Sequence, residues 1–207
     1  MEVISSILFD ADGVIQKHAT GWRVGFSGLL SNDADVNAFM QDVFVAERPC
    51  LVGEGDFVAS FAAVLAKWKS CYAVDEALRV FTQIEIQNEV IQLIQSLRRD
   101  GIACHVASNQ NSYRASYMSA GLGYCKLFDT EFYSCHVGSA KPDLAYFWAV
   151  INKLAIQPSQ MLFLDDKENN VQTARAAGLR AAVFDLSGGV KGLRRVLADV
   201  GIAVSPT

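Results

Sequence analysis

Two carboxylates, Asp10 and Asp12, stand directly after the apolar run 4–9 and directly before Gly13. The glycine permits a turn that a β-carbon would obstruct, so both acids belong to a loop at a strand end. Acids in such a turn are suited to holding a hard cation, and a calcium-binding loop opens the same way. That loop needs oxygen ligands at further alternate positions and a distal glutamate, whereas Val14, Gln16 and His18 follow here. Three more apolar runs end in polar residues. Run 102–107 closes on Ser108 and Asn109. Run 131–135 is followed by Ser139-Ala140-Lys141-Pro142-Asp143, and run 161–164 closes on Asp165 and Asp166 with Asn170 beyond. Singly, each has an ordinary explanation: a helix cap, an exposed lysine, a turn acid. Together they are placed to converge, because ligands bind at the carboxyl edge of an open parallel sheet.

In their order and types, these four motifs resemble those of the haloacid dehalogenase-like superfamily: an Asp-x-Asp, a Ser or Thr, a Lys, and an acidic pair. The resemblance spans nearly the whole chain. The ending Asp165-Asp166-x-x-x-Asn170, with Val171, Ala174 and Gly178, is similar to subfamily I, which carries a helical cap after the first motif. The resemblance implies a magnesium-dependent phosphatase acting on a small phosphorylated metabolite, a sugar phosphate or a nucleotide. Asp10 would be the nucleophile, forming an aspartyl phosphate that splits hydrolysis into two displacements. Asp12 would protonate the leaving oxygen and then activate water, with a pKa expected to be raised by neighbouring negative charge. Magnesium would be held by the Asp10 side chain, the Asp12 main-chain carbonyl and Asp166, with Asp165 acting through water. Lys141 would stabilise charge on the phosphate, Ser108 and Asn109 would bind its oxygens, and Asn170 would orient Asp166 or Lys141. A phosphomutase of the β-phosphoglucomutase type would share every motif. A haloacid dehalogenase would need neither Asp12 nor the Asp165-Asp166 pair, and a non-catalytic binding or regulatory protein on this fold would have lost the chemical residues.

The elements that position these residues follow from the hydrophobic pattern. Short apolar runs without polar alternation suit a parallel sheet covered on both faces. Between them lie helical patterns, such as Val90, Ile91, Ile94 and Leu97 before Gly101, and 145–154 after Pro142. This alternation predicts an α/β fold with a doubly wound, Rossmann-like parallel sheet. Residues 17–86 break it: no strand is apparent, and Phe57, Phe61, Val64, Leu65 and Trp68 form a helical stripe. They are expected to be a small inserted helical cap, the core being 1–16 and 87–207. Gly21, Gly25 and Gly28 make its start irregular, and Arg48-Pro49 and Gly53-Glu54-Gly55 divide it. Trp22, Arg23, Arg48 and Glu54 are the insertion residues that could touch a leaving group, with Trp22 equally suited to a place in the insertion's core.

The bulk composition sets the remaining expectations. A chain of 207 residues, 51% hydrophobic, buries a sizeable core. Its net charge of -4 and scattered basic residues give no attraction to nucleic acid. Residues 3–9 lack a positive flank and read as a strand, not a targeting segment. No run approaches the ~20 apolar residues that span a bilayer. The five cysteines form no Cys-x-x-Cys pair and read as small buried hydrophobes in a reducing cytoplasm. His18, His105 and His136 lack metal-site spacing, and His18 lies nearest the acidic loop. The expected partner is a small phosphorylated molecule, with no nucleic acid or membrane, for a monomer or homodimer.

Overall fold

In chain order the strands are Ser6–Phe9 (β1), Gln16–His18 (β2), Ile84–Ile86 (β3), Ala103–Ser108 (β4), Thr130–Tyr133 (β5), Met161–Asp165 (β6) and Arg180–Val183 (β7). The computed structural model describes residues 2–31 and 34–203. Five strands form one sheet in the order β5-β4-β1-β6-β7, with every neighbouring pair parallel. β1 and β6 are buried at every residue, which explains their unbroken apolar runs. The chain passes from β1 to β4 and β5 on one side, then crosses to β6 and β7 on the other. The winding therefore reverses at β1, and the loop after it occupies the topological switch point.

The helices are Trp22–Ser27 (α1), Val36–Glu47 (α2), Phe57–Lys67 (α3), Val74–Ala77 (α4), Arg79–Thr82 (α5), Asn88–Arg99 (α6), Ser112–Ser116 (α7), Tyr124–Leu127 (α8), Ser134–Val137 (α9), Leu144–Leu154 (α10), Glu168–Ala176 (α11) and Gly189–Asp199 (α12). Val90, Ile94 and Leu97 of α6, with Leu193 and Leu197 of α12, join the cluster containing Ile7, Phe9, Val106 and Leu162. Tyr146, Phe147 and Val150 of α10, with Ala174 of α11, join the one containing Leu8, Ala107 and Phe163. Alternate residues of β1 thus feed two cores, one on each side of the sheet.

Helices α1 to α5 gather around a third cluster that includes Phe26, Phe39, Phe57, Phe61 and Phe81. Phe81 is its hub, with ring centroids 4.8 Å from Phe57, 5.1 Å from Phe61 and 5.5 Å from Phe26. Such pairs each add roughly 0.5–1.5 kcal/mol beyond area burial. The Asp35 and Asp56 carboxylates cap α2 and α3 through main-chain N–H groups.

Several expectations need correction. Residues 17–86 do contain strand: β2 and β3 pair antiparallel where the chain enters and leaves the insertion, with Gln16 opposite Ile86 and His18 opposite Ile84. The third core strand ends at Tyr133, and Cys135 and His136 lie in the helical turn α9. Cys71 and Cys125 are exposed. Among the described residues, no helix is long and apolar enough to cross a membrane.

The insertion is pressed onto the core beside the sheet edge. Gly53 has φ +81°, and a β-carbon there would lie 2.6 Å from the Cys135 carbonyl oxygen, so only glycine admits this approach. Nearby, the Asn111 amide donates to Glu47 at 2.6 Å.

Candidate active site

The main-chain N–H of Asp10 donates to the Leu164 carbonyl at 2.8 Å, tying the first acid to the sheet. The loop then closes on the Ala11 carbonyl, which accepts from Val14, Ile15 and Gln16 at 3.2, 2.9 and 3.0 Å. Gly13, at φ +88°, does more than turn the chain. A β-carbon there would lie 2.7 Å from Asp166 Oδ2, so the missing side chain lets the loops after β1 and β6 touch.

Lys141 is buried, and its Nζ donates to Asp10 Oδ1 at 2.9 Å, Asp165 Oδ2 at 2.6 Å and the Ala107 carbonyl at 2.7 Å. All three ammonium protons are engaged. Burial pushes its pKa down, but the charges of Asp10 and Asp165 outweigh this and raise it. Burial lifts the Asp10 carboxyl to about 6, against the pull of Lys141. Asn109 uses its amide on the Lys141 main chain, donating to the carbonyl at 2.7 Å and accepting from the N–H at 2.9 Å. It therefore braces the lysine loop.

The adjacent acids differ. Asn170 donates to both oxygens of Asp165, and the Lys167 N–H adds a bond to Oδ1 at 2.8 Å. Asn170 thus orients Asp165, in place of the expected Asp166 or Lys141. Asp166 Oδ1, in contrast, is buried with no hydrogen-bond partner, and burial raises that carboxyl's pKa. Carboxylate oxygens of Asp10, Asp165 and Asp166 all lie within 4.8 Å of one another. The set fits a hard divalent cation, for which the orphaned oxygen of Asp166 is the natural open ligand. Both oxygens of Asp165 are already occupied.

Asp12 departs most from expectation. Arg114 donates to it twice, from Nη1 to Oδ2 at 2.5 Å and from Nη2 to Oδ1 at 2.8 Å. Gln110 donates to Oδ2 at 2.8 Å and Gln16 to Oδ1 at 3.0 Å. Burial pushes this carboxyl up, but Arg114's charge and hydrogen bonds, with those of Gln16 and Gln110, hold it below the usual range. The expected upward shift is thereby overturned, because the nearest charge is a cation. Gln16 is itself fixed by the Tyr124 hydroxyl, which donates to its Oε1 at 2.7 Å. Sequence reasoning missed Gln16, Gln110 and Arg114. No local signal marks them: Gln110 precedes the short helix α7, and Arg114 finds its carboxylate partner 102 residues away.

A cavity of about 50 Å³ is lined by the predicted residues Asp10, Asp12, Ser108, Asn109, Lys141 and Asn170, and by Lys167. Ser108 Oγ accepts from Gln110 at 3.2 Å, which leaves its proton to donate. A groove of about 450 Å³ shares Asn109, Lys141, Lys167 and Asn170 with this cavity and adds Pro142, Glu168 and Asn169. Lys167, which reads from sequence as a solvated helix-start residue, lines both. None of the four insertion residues considered for a leaving group lines the cavity, and Trp22 takes the alternative place in the insertion's core. Trp22 packs on Arg114 and Phe26, Arg23 bonds Asn37, Arg48 lines a separate surface groove with Met40 and Phe44, and Glu54 is exposed. His18 has a structural role, its Nε2 donating to the Val80 carbonyl at 2.9 Å and its Nδ1 accepting from the Thr20 N–H at 3.3 Å.

Residues 4–178 match the family described as haloacid dehalogenase-like hydrolase. Phosphatase MT3486 of Mycobacterium tuberculosis (strain CDC 1551 / Oshkosh) is 28% identical, with 96% of this chain and 95% of that protein covered. Phosphoglycolate phosphatase of Pectobacterium atrosepticum is 25% identical, with 87% and 80% covered. A magnesium complex of the HAD family enzyme bt-2542 from Bacteroides thetaiotaomicron shares the fold, with a TM-score of 0.79 at 17% identity, 94% of this chain and 100% of that chain being covered. Since the family match takes in all four strand-end motifs as well as the intervening insertion, the chain belongs to the haloacid dehalogenase-like hydrolases.

Proposed function

We propose that the protein is a magnesium-dependent phosphatase that hydrolyses a small phosphorylated metabolite through an aspartyl phosphate on Asp10. The observation that carries this reading is the buried Lys141 ammonium between Asp10 and Asp165, at a cavity sized for a phosphoryl group and beside the unpartnered Asp166 oxygen. The phosphatases among its relatives support the same reaction class.

The chemistry runs in two halves. The Asp10 carboxylate attacks phosphorus, the bond to the leaving oxygen breaks, and that oxygen takes a proton from Asp12. Water then attacks the aspartyl phosphate while Asp12 takes its proton, and cleavage of the acyl phosphate frees Asp10 and inorganic phosphate. Lys141 lowers the repulsion between Asp10 and the anionic phosphoryl group, and Ser108 donates its hydroxyl to a phosphoryl oxygen. Magnesium would be held by the Asp10 side chain, Asp166 and the Asp12 main-chain carbonyl, and when bound would supply further positive charge to the phosphoryl oxygens, while Asp165 keeps Lys141 in place.

Residues 17–86 serve as a cap over a core of 1–16 and 87–207, sheltering the site from water. The groove beyond the cavity carries Lys167, Glu168 and Asn169 and no aromatic ring on which a base would stack. A hydroxylated or carboxylated leaving group therefore suits it better than a nucleoside.

The test is a panel of phosphorylated metabolites with magnesium, together with p-nitrophenyl phosphate. Net phosphate release is expected, and Asp10→Asn should abolish both turnover and trapping by beryllium fluoride. Absence of phosphate release from every substrate would overturn the reading, and interconversion of sugar phosphates without net release would replace it with a phosphomutase.

A further inference from the structure

Arg114 belongs to none of the four motifs, yet it is buried and its guanidinium bridges two parts of the molecule. Toward the core it grips both oxygens of Asp12, and Nη1 also donates to Gln110 Oε1 at 3.1 Å. Toward the insertion its Nε donates to the Phe81 carbonyl in α5 at 3.0 Å, and its Cζ lies 5.0 Å from the centroid of Trp22 in α1. Phe81 is also the hub of the insertion's aromatic cluster, so its position is set by that whole unit.

A guanidinium is planar and rigid, with donors in a fixed fork. A rotation of α5 relative to the loop after β1 therefore cannot be absorbed within the group. It must strain or break the bonds to Asp12 or the bond to Phe81. The Asp12 oxygens accept four donors in total. A carboxyl so engaged on both oxygens has no free position from which to offer a proton to a leaving group. The structure thus shows the acid latched, with the latch attached at its other end to the insertion.

We propose that Arg114 is a positioning residue through which the helical insertion sets the orientation of the Asp12 carboxyl. The kinetic part of this inference rests on the phosphatase reading, in which Asp12 protonates the leaving oxygen; the mechanical part does not. Arg114→Lys keeps the charge but removes the fork, and with it the simultaneous hold on Asp12 and Phe81.

Two readouts test the proposal. With Trp68→Phe and Trp148→Phe, Trp22 is the sole tryptophan and reports on the insertion side of the latch. Addition of magnesium and beryllium fluoride should change its emission, and Arg114→Lys should abolish that change while calorimetry still detects binding. In turnover, Arg114→Lys should lower kcat for an alkyl phosphate, whose leaving oxygen needs a proton, about ten-fold more than kcat for p-nitrophenyl phosphate, corresponding to about 1.4 kcal/mol. KM should change little. Should Arg114→Lys fail to fold, Trp22→Leu keeps every group that touches Asp12 and should show the same discrimination between leaving groups, about three-fold. Equal loss for both leaving groups, or a Trp22 response that survives Arg114→Lys, overturns the proposal. A Trp22 response that depends on Arg114 in a protein releasing no phosphate would uphold the latch and reject the phosphatase.

Discussion

Asn170 donates to both carboxylate oxygens of Asp165, at 3.0 and 2.9 Å, while the next residue, Asp166, keeps a buried oxygen with no partner. Two adjacent acids of identical chemistry are thereby separated into a satisfied partner for Lys141 and a carboxylate with an unpaired buried oxygen.

This separation predicts opposite phenotypes. Asp166→Ala should raise the magnesium concentration for half-maximal activity by about ten-fold or more, with little effect on metal-free stability. Asp165→Ala leaves buried Lys141 with Asp10 as its one carboxylate partner, and should lower metal-free stability by about 3 kcal/mol. Denaturant midpoints and magnesium titrations of the two variants provide the check, and a reversed pattern would make Asp165 the metal ligand.

Gly13→Ala should be damaging although it adds one methyl group. The φ of +88° and the 2.7 Å approach to Asp166 Oδ2 both oppose a β-carbon. The backbone strain alone is worth roughly 1–3 kcal/mol, and displacement of Asp166 should weaken magnesium dependence as well. Unchanged magnesium response would show that the two loops separate freely.

The Asp10 carboxyl, raised to about 6, predicts that magnesium binding is coupled to proton release. Below that value the ligand must lose its proton before it binds; well above it, the proton is already gone. Calorimetry in buffers of different ionisation enthalpy should show release at pH 5.5 falling toward zero by pH 8. Asp10→Asn should remove the difference.

His105 predicts a stability change that does not involve the site. It is buried in β4, its Nδ1 has no hydrogen-bond partner, and burial pushes its pKa from 6.5 down to about 4, with Asp129 opposing. Between those values the unfolded chain binds more protons than the folded one. The stabilising contribution is therefore complete above about pH 6.5 and lost as pH falls toward 4, up to about 3 kcal/mol. Chemical denaturation at pH 7 and pH 4.5 should show a smaller acid loss for His105→Leu than for the parent.

These predictions draw unequally on what was legible from sequence. β1, β4 and β6 were readable because burial on two faces leaves uninterrupted apolar runs, and the candidate site residues sit where those runs stop. Gln16–His18 was not, because three residues show no period and the pairing that makes them a strand lies beyond the insertion. The strand read through Cys135 stops earlier, where Ser134 Oγ accepts the Gln110 N–H at 3.0 Å and the chain turns helical. Arg114 gave no local sign of burial. An arginine in a short helix ordinarily faces water, and its carboxylate partner lies 102 residues away.

The ribbon formed by β2 and β3 also bears on how such a chain diversifies. At its end the Ala19 N–H donates to the Gln83 carbonyl at 2.8 Å, so the entry and exit of the helical unit lie side by side. A segment whose two ends meet behaves as a cassette: a tight turn can close the gap it leaves, and a different fold with equally close ends can take its place, without shifting the register of the parallel sheet. Selection can then exchange the helical unit while the residues at the carboxyl edge of the sheet stay as they are.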